Sequence, residues 1–379
     1  MPKQIMPLRQ VLVEISDFRH KRGKRHPLSA ILALACAAML CGYKSYSAIA
    51  EWGRNYGCAL TRALGFTRDD TPCAATLHSV LRGIDVTQLE AKLQAWAESV
   101  RTALPPMPGE EEGVACDGKR LRGSSKQGAP GAHLLSALGH RLGLTFTQQV
   151  VADQTNEIPV MQRVVQDLVL TGLVVTVDAQ LTQQHIAQAI VGGGGDYLMP
   201  VKENQPQLYE DIATLFQEPR MVAETLTYAQ TVHLGHGRIE ERRLTASTAL
   251  VGYTQWPGLQ QVFRLERRVT HKKSGQRRHE VVYGITSLAP ERADAEVLLR
   301  LSRQHWCVEN KLHWVRDVTF DEDRSQVRSG HIPHVMATLR NTVIGLMRLN
   351  GETNIAAACR RFAAQPWQAL ALLGIHPDN

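Results

Sequence analysis

The run LVVTVDA at residues 173–179 constrains the fold more than any other part of the chain. Its first five residues are apolar or Thr, most of them β-branched, and no polar position alternates with them. Such a run reads as a strand buried on both faces, with parallel neighbours and helices packed on either side. The flanks agree. A helical segment near Ile158 to Leu168 precedes it, a helix from Thr182 to Ile190 follows, and a four-glycine turn leads into a further apolar strand, YLMPVK. Strands alternating with helices imply parallel neighbours in one sheet.

Upstream, VACDGKRLRG, HLLSALGHR and LTFTQQVVA are short apolar strands separated by turns, which suggests an antiparallel meander. Three such strands followed by helix, strand, helix, strand is the element order of an RNase H-like fold. The expected class is therefore α/β, an RNase H-like catalytic core with a β-rich insertion and a helical N-terminal domain. The N-terminal unit, 1–105, is helical: Pro27 to Arg54 is apolar and Ala-rich, and Leu89, Leu93, Trp96 and Val100 recur at helical spacing. LPPMPGEEEG, with three prolines and three consecutive glutamates, is the clearest linker. The first part of the core then spans 113–217. An insertion at 218–282 carries alternating segments such as RIEERRLTAS, QQVFRLERRVT and RHEVVYGITSL. The second part of the core covers 283–350, with helical spacing through Leu298, Leu301, His305, Val308, Leu312 and Val315, and a helical tail occupies 351–379.

A formal charge of +7 and a pI near 9.1 favour a polyanionic partner, because each Lys or Arg on a phosphate releases counterions. Seven cysteines without a CxxC pair or zinc-like spacing fit reduced thiols, not a disulfide or zinc framework. The first residues lack a signal-peptide layout, and the longest apolar run, Leu28 to Cys41, is too short to span a bilayer. A soluble cytoplasmic protein with no membrane partner is expected.

Two acids stand where the chain leaves apolar strands: Asp117 in VACDGKRLRG and Asp178 in VVTVDA. Singly, each also reads as a helix N-cap or a surface ion pair. Together, at neighbouring strand ends, they can share a hard cation through oxygen ligands. A third acid must reach the same place, and Glu309 in HWCVENKLHW is the best placed, with Asp317 its rival. Regular helical spacing puts His305, Glu309, His313 and Arg316 on one face able to meet a phosphate. The same segment also reads as a solvated helix edge with Trp306 and Trp314 in the core. Phosphodiester cleavage needs an activated water or 3′ hydroxyl and a stabilised leaving oxygen, which two metal ions about 4 Å apart supply. There is no GxSxG elbow and no Walker A sequence, so neither a serine nucleophile nor an ATP-driven step is indicated.

Further basic and polar positions read as phosphate or DNA contacts or as ordinary surface: Lys119, Arg122, Lys202, Asn204 with Gln205, Arg238, the HKKSGQRRH turn, and the basic run from Arg19 to His26. Trp256 reads as a core tryptophan or as a platform for a flipped base.

In order along the chain, CDGKRLRGS, TNEIP, TVDAQLTQ, DYLMPVKENQPQL, HGRIEER, YGITSL, HWCVENKLHWVRDVTFDED and MATLRNTVIGLMR resemble the H-repeat-associated insertion-sequence transposases, a branch of the DDE transposases. The resemblance covers nearly the whole chain. It implies Asp117, Asp178 and Glu309 as catalytic residues and metal ligands, two Mg²⁺ per site with Mn²⁺ able to substitute, and an N-terminal domain that binds DNA. It further implies double-stranded DNA as partner, both terminal inverted repeats and target, a homodimer or higher oligomer on that DNA, and a bacterial, nucleoid-associated location. Asp178 follows Asp117 by 61 positions (178 less 117) and Glu309 follows Asp178 by 131 (309 less 178), the longer gap holding the insertion. In related transposases a Tyr, an Arg and a Lys flank the glutamate at offsets −7, −4 and +7. Here those positions hold Ser302, His305 and Arg316, and Leu181 stands where a histidine is usual. The chemistry implied is metal-dependent strand cleavage and strand transfer. A related nuclease without strand transfer, or an inactive DNA-binding derivative, is the alternative.

Overall fold

The computed structural model describes residues 5–21, 24–125, 130–218, 224–235 and 237–376. Arg22 of the N-terminal basic run and His236 of HGRIEER lie outside the described residues. Among the described residues no helix is long and apolar enough to cross a membrane. Two compact units divide the chain. One comprises Met1–Pro105, Gly118–Asn156 and Val308–Asn379, the other Pro106–Asp117 and Glu157–Cys307.

In the first unit, α2 (Leu28–Leu40) is apolar on every side and buries every residue but Ser29. A helix with no polar face belongs at the centre of a cluster. Around it pack α1 (Leu8–Val13), α3 (Tyr46–Asn55), α11 (Ile332–Leu349), α12 (Ile355–Ala364) and α13 (Pro366–Leu372). The N-terminal set is completed by α4 (Gly57–Ala63), α5 (Ala74–Gly83) and α6 (Val86–Ala103). Ser45 caps α3 by accepting from the Ala48 N–H at 3.2 Å, and Asp85 caps α6 from the Gln88 N–H at 3.1 Å. The spacing of Leu89, Leu93, Trp96 and Val100 buries all four. α6 packs on β3 (Thr145–Val151), which pairs antiparallel with β2 (His133–Gly139).

The second unit is built on a mixed sheet. β1 (Glu112–Arg120) begins in it and carries the chain onward. Beside β1 lies β4 (Leu173–Thr176), buried throughout and parallel both to β1 and to β5 (Asp196–Val201). The apolar run LVVT is thus a central strand with parallel neighbours. α7 (Glu157–Asp167) leads into β4, α8 (Gln184–Gly192) joins β4 to β5, and α9 (Pro206–Gln217) follows. β5 then meets the last strand of an antiparallel meander made of β6 (Thr227–Gly235), β7 (Arg238–Ser247), β8 (Gln261–His271) and β9 (Arg277–Thr286). Gly284 sits opposite Phe263, and a Cβ there would lie 2.2 Å from the ring, so the aromatic fill of this sheet requires glycine. α10 (Ala295–His305), capped by Asp294 on the Val297 N–H at 2.9 Å, buries Leu298, Leu299 and Leu301 with Leu244, Ala246 and Phe263.

The architecture is mixed α/β with N-terminal helices and a mixed sheet, and the chain order β1-β2-β3-α7-β4-α8-β5 is the RNase H-like order. One expectation needs correcting. After α10 the chain does not continue as a regular helix; it widens into π-helical stretches at Val308–His313 and Val315–Thr319. A short turn then starts at Asp321, the one non-glycine residue with positive φ (55°) among the described residues.

Candidate active site

β1 and β4 pair in register from Glu112 with Leu173 through Ala115 with Thr176. Carried two residues further, that register sets Asp117 beside Asp178. The 61-position spacing is therefore the offset of the parallel strand pair, and it holds the two carboxylates at matching points on adjacent chains. Asp178 is half-buried. Burial raises its pKa above the usual carboxylate range, and the like charges of Glu157 and Asp117 raise it further, against a lowering bond from Leu181. An acid held this way is destabilised as an anion until a cation joins it.

The loop after β4 is fixed by its own backbone. Leu181, buried, donates its N–H to Asp178 Oδ1 at 3.0 Å. That bond comes from the backbone and does not depend on which side chain stands at 181. Asn204 Nδ2 donates to the Ala179 carbonyl at 2.8 Å and Gln205 Nε2 to the Thr182 carbonyl at 3.0 Å. The two amides after β5 thus brace the Asp178 loop, a role that composition did not reveal. Lys202, next to them, is exposed.

His305 ends α10, and its Nδ1 lies 3.1 Å from Thr176 Oγ1, a hydroxyl that also donates to the Val114 carbonyl at 3.3 Å. Burial pushes the imidazole below its ordinary pKa, only partly opposed by the charge of Asp117. The lowered pKa favours the uncharged ring, whose observed contact is with the Thr176 hydroxyl at the end of β4. Ser302, on the same helix, is half-buried.

In the first unit, Glu309 is 54% exposed at the side chain, with one oxygen 3.3 Å from His313 Nδ1. The expected face of His305, Glu309, His313 and Arg316 is not formed. The π-helical widening turns His313 and Arg316 inward and leaves Glu309 out. Arg316 is fully buried: its Nε and Nη2 reach Glu322 Oε2 at 2.8 and 2.7 Å, while Arg340 Nη1 holds the other oxygen at 2.7 Å. This places the +7 cation in the core of its unit, paired with Glu322. Lys119 is likewise buried, its Nζ 2.6 Å from Asp317 Oδ2. Each of these positions, the candidate phosphate contact and the rival third ligand, is therefore paired with the other. Trp306 and Trp314 are exposed, contrary to a core placement, whereas Trp256 is buried. Arg122 is exposed, 3.9 Å from Asp323. Arg238 starts β7, half-buried near Glu240, and the Lys272 to Arg278 turn is exposed.

The donor chemistry fits a hard divalent cation. Within the second unit, Asp117 and Asp178 both offer carboxylate oxygens, and the crowding of acids that raises the Asp178 pKa is what a bound cation would relieve.

Residues 108–346 match the model of the transposase DDE domain, and residues 9–97 match that of the DDE_Tnp_1-associated domain. The chain belongs to this DDE transposase family, whose activity is the transposition of mobile DNA elements and whose chemistry uses divalent metal ions. Among its relatives, YncI of Escherichia coli O157:H7, named as a transposase, is 27% identical over 91% of this chain and 88% of its own length. YhhI of E. coli K12, an H repeat-associated protein also named as a transposase, is 29% identical over 90% and 91%. Among solved structures, a cryo-EM piggyBac transposase synaptic complex with hairpin DNA aligns with a TM-score of 0.43 and 10% identity over 96% of this chain and 76% of that one.

Proposed function

We propose that the chain is the transposase of its own insertion sequence, cutting DNA at the element's terminal inverted repeats and joining a 3′ hydroxyl to target DNA. Asp117, Asp178 and Glu309 carry the reaction, with two Mg²⁺ held by them and Mn²⁺ able to substitute. The observation that carries this reading is the strand register that sets Asp117 beside Asp178 with a raised Asp178 pKa. Bound divalent ions would acidify the attacking water and stabilise charge on the leaving oxygen. The chain's own groups do the rest: the Leu181 backbone N–H and the Asn204 amide fix the Asp178 loop, His305 supports it through Thr176, and His313 orients Glu309. Two-ended synapsis calls for a homodimer or larger assembly on DNA. Exposed Arg122 and Lys202 and the Lys272 to Arg278 turn supply phosphate contacts.

Incubation with supercoiled plasmid carrying the element's ends, in Mg²⁺, should give nicked and then joined products. Asp178→Asn should lower the rate about a thousandfold or more, several kcal/mol of barrier, while DNA binding is kept. Nicks without joined products reduce the activity to that of a nuclease. Cleavage retained by Asp178→Asn would remove the acid from the reaction altogether.

A further inference from the structure

A strand at the edge of a sheet leaves a row of backbone N–H and C=O groups unpaired, and proteins ordinarily protect it with charge, proline or a bulge. β6 ends the meander, paired with β7 alone. Its residues, TYAQTVHLG, include no Lys, Arg, Asp, Glu or Pro, and its register with β7 runs from Thr227 to Gly235 without a shift. β7, β8 and β9 each hold several charged residues. Charge is thus present in every strand of the meander except the open one, the reverse of a protected edge.

Side chains alternate between the faces of a strand, so Tyr228, Gln230, Val232 and Leu234 share one face. Tyr228 is 73% exposed, Val232 60% and Leu234 64%, and Ile239, opposite Leu234 on β7, adds to the same apolar strip. The unpaired backbone groups call for another strand. Symmetry and charge say which. A two-fold axis through Thr231, perpendicular to the sheet, keeps each side chain on its own face and sets two copies of β6 antiparallel. Tyr228 then faces Leu234 of the second copy, and Gln230 faces its Val232. No pair in that ladder opposes like charges, and the most exposed apolar side chains cover one another. DNA suits this edge poorly, because β6 brings no Lys or Arg to a phosphate. We infer that the β6 edge is a self-association surface, through which two copies of the chain join their sheets by antiparallel strand pairing in the absence of DNA. The inference goes beyond the proposed function and does not depend on it.

Sedimentation equilibrium of the full chain, without DNA or divalent metal, should give twice the 42.1 kDa chain mass at micromolar concentration. One variant combines Gln230→Glu with Val232→Glu, and another Gln230→Lys with Val232→Lys. Both positions are exposed, so far-UV circular dichroism should match wild type. Each variant opposes like charges across the interface and should raise the dissociation constant about tenfold or more. Mixed in equal amounts, the two should regain the dimer mass, because each Glu then meets a Lys. In wild type, the β6 amides should exchange with solvent more slowly at high protein concentration than at low. A monomeric wild type, a variant as dimeric as wild type, a mixture that stays monomeric, or amide exchange indifferent to concentration overturns the inference. A β6 dimer that never cuts DNA overturns the proposed function alone, and a monomer that cuts and joins DNA overturns this inference alone.

Discussion

Two acids, Glu322 in one unit and Asp178 in the other, meet burial in opposite ways. Glu322 is almost wholly buried, and burial alone would raise its pKa, yet the guanidiniums of Arg316 and Arg340 hold it below the ordinary carboxylate range. Asp178 is only half-buried, but its neighbours are Asp117 and Glu157, and its pKa rises. Both carboxylates are desolvated; the sign of the charge beside them differs. A desolvated acid matched by two fixed cations is part of the framework, and one crowded by other acids is poised for a mobile cation. The Glu322 cluster also fixes the local chain. Arg340 Nη2 donates to the Lys44 carbonyl at 2.9 Å, and Asn341 links through Gln148 to Glu90, which takes His334 at 2.6 Å. The second π-helical stretch, which bears Arg316, is thereby tied to α11 and, through Gln148 and Glu90, to α6 of its own unit.

The contrast breaks most readily at Glu322. Glu322→Gln leaves two buried guanidiniums without their counter-charge and should lower unfolding free energy by about 3–5 kcal/mol in urea melts. A variant as stable as wild type would end the distinction between the two acids.

The pH dependence of stability sharpens it, since the two signs oppose. Glu322, with a folded pKa depressed from 4.5, contributes stability that is complete above that value and is lost as pH falls through the folded pKa. Asp178, raised from 3.8, binds its proton more tightly when folded, so stability falls as pH rises from 3.8 through the raised value. In metal-free buffer, Asp178→Asn should flatten that decline, and adding Mg²⁺ should offset it in wild type only. Thermal melts across acidic to neutral pH read both effects, and a steeper decline in Asp178→Asn would reverse the assignment.

The smallest effect belongs to Arg122. Its ion pair with Asp323 is exposed and long, so Arg122→Ala should change stability by less than about 0.5 kcal/mol while weakening duplex binding and reducing its salt dependence. A large melting shift would show that exposure was a poor guide here.

Much of this was legible in the chain itself. An unbroken β-branched run can satisfy its burial only as a central strand, so LVVT, its parallel neighbours and the acids at their ends could be read directly. The segment around Glu309 could not. Its apolar spacing fits a regular helix, and nothing in residue periodicity announces a π-helical turn, which rotates each later side chain away from its α-helical face. Arg316 was therefore placed outward and Trp314 inward, the reverse of what the structure shows. Lys119 with Asp317, Thr176 with His305 and Asn204 with Ala179 were hidden for another reason: each joins residues distant in sequence whose pairing depends on tertiary placement.

The shared register of β1 and β4 also sorts the chain by its tolerance to insertion. Residues added in a connection between the two strands change the count from Asp117 to Asp178 but leave the offset of the ladder where the strands pair. One residue added inside β4 moves every later side chain to the opposite face, taking Asp178 with it. What the molecule preserves is an alignment between two strands, of which a fixed number of residues is only the present expression.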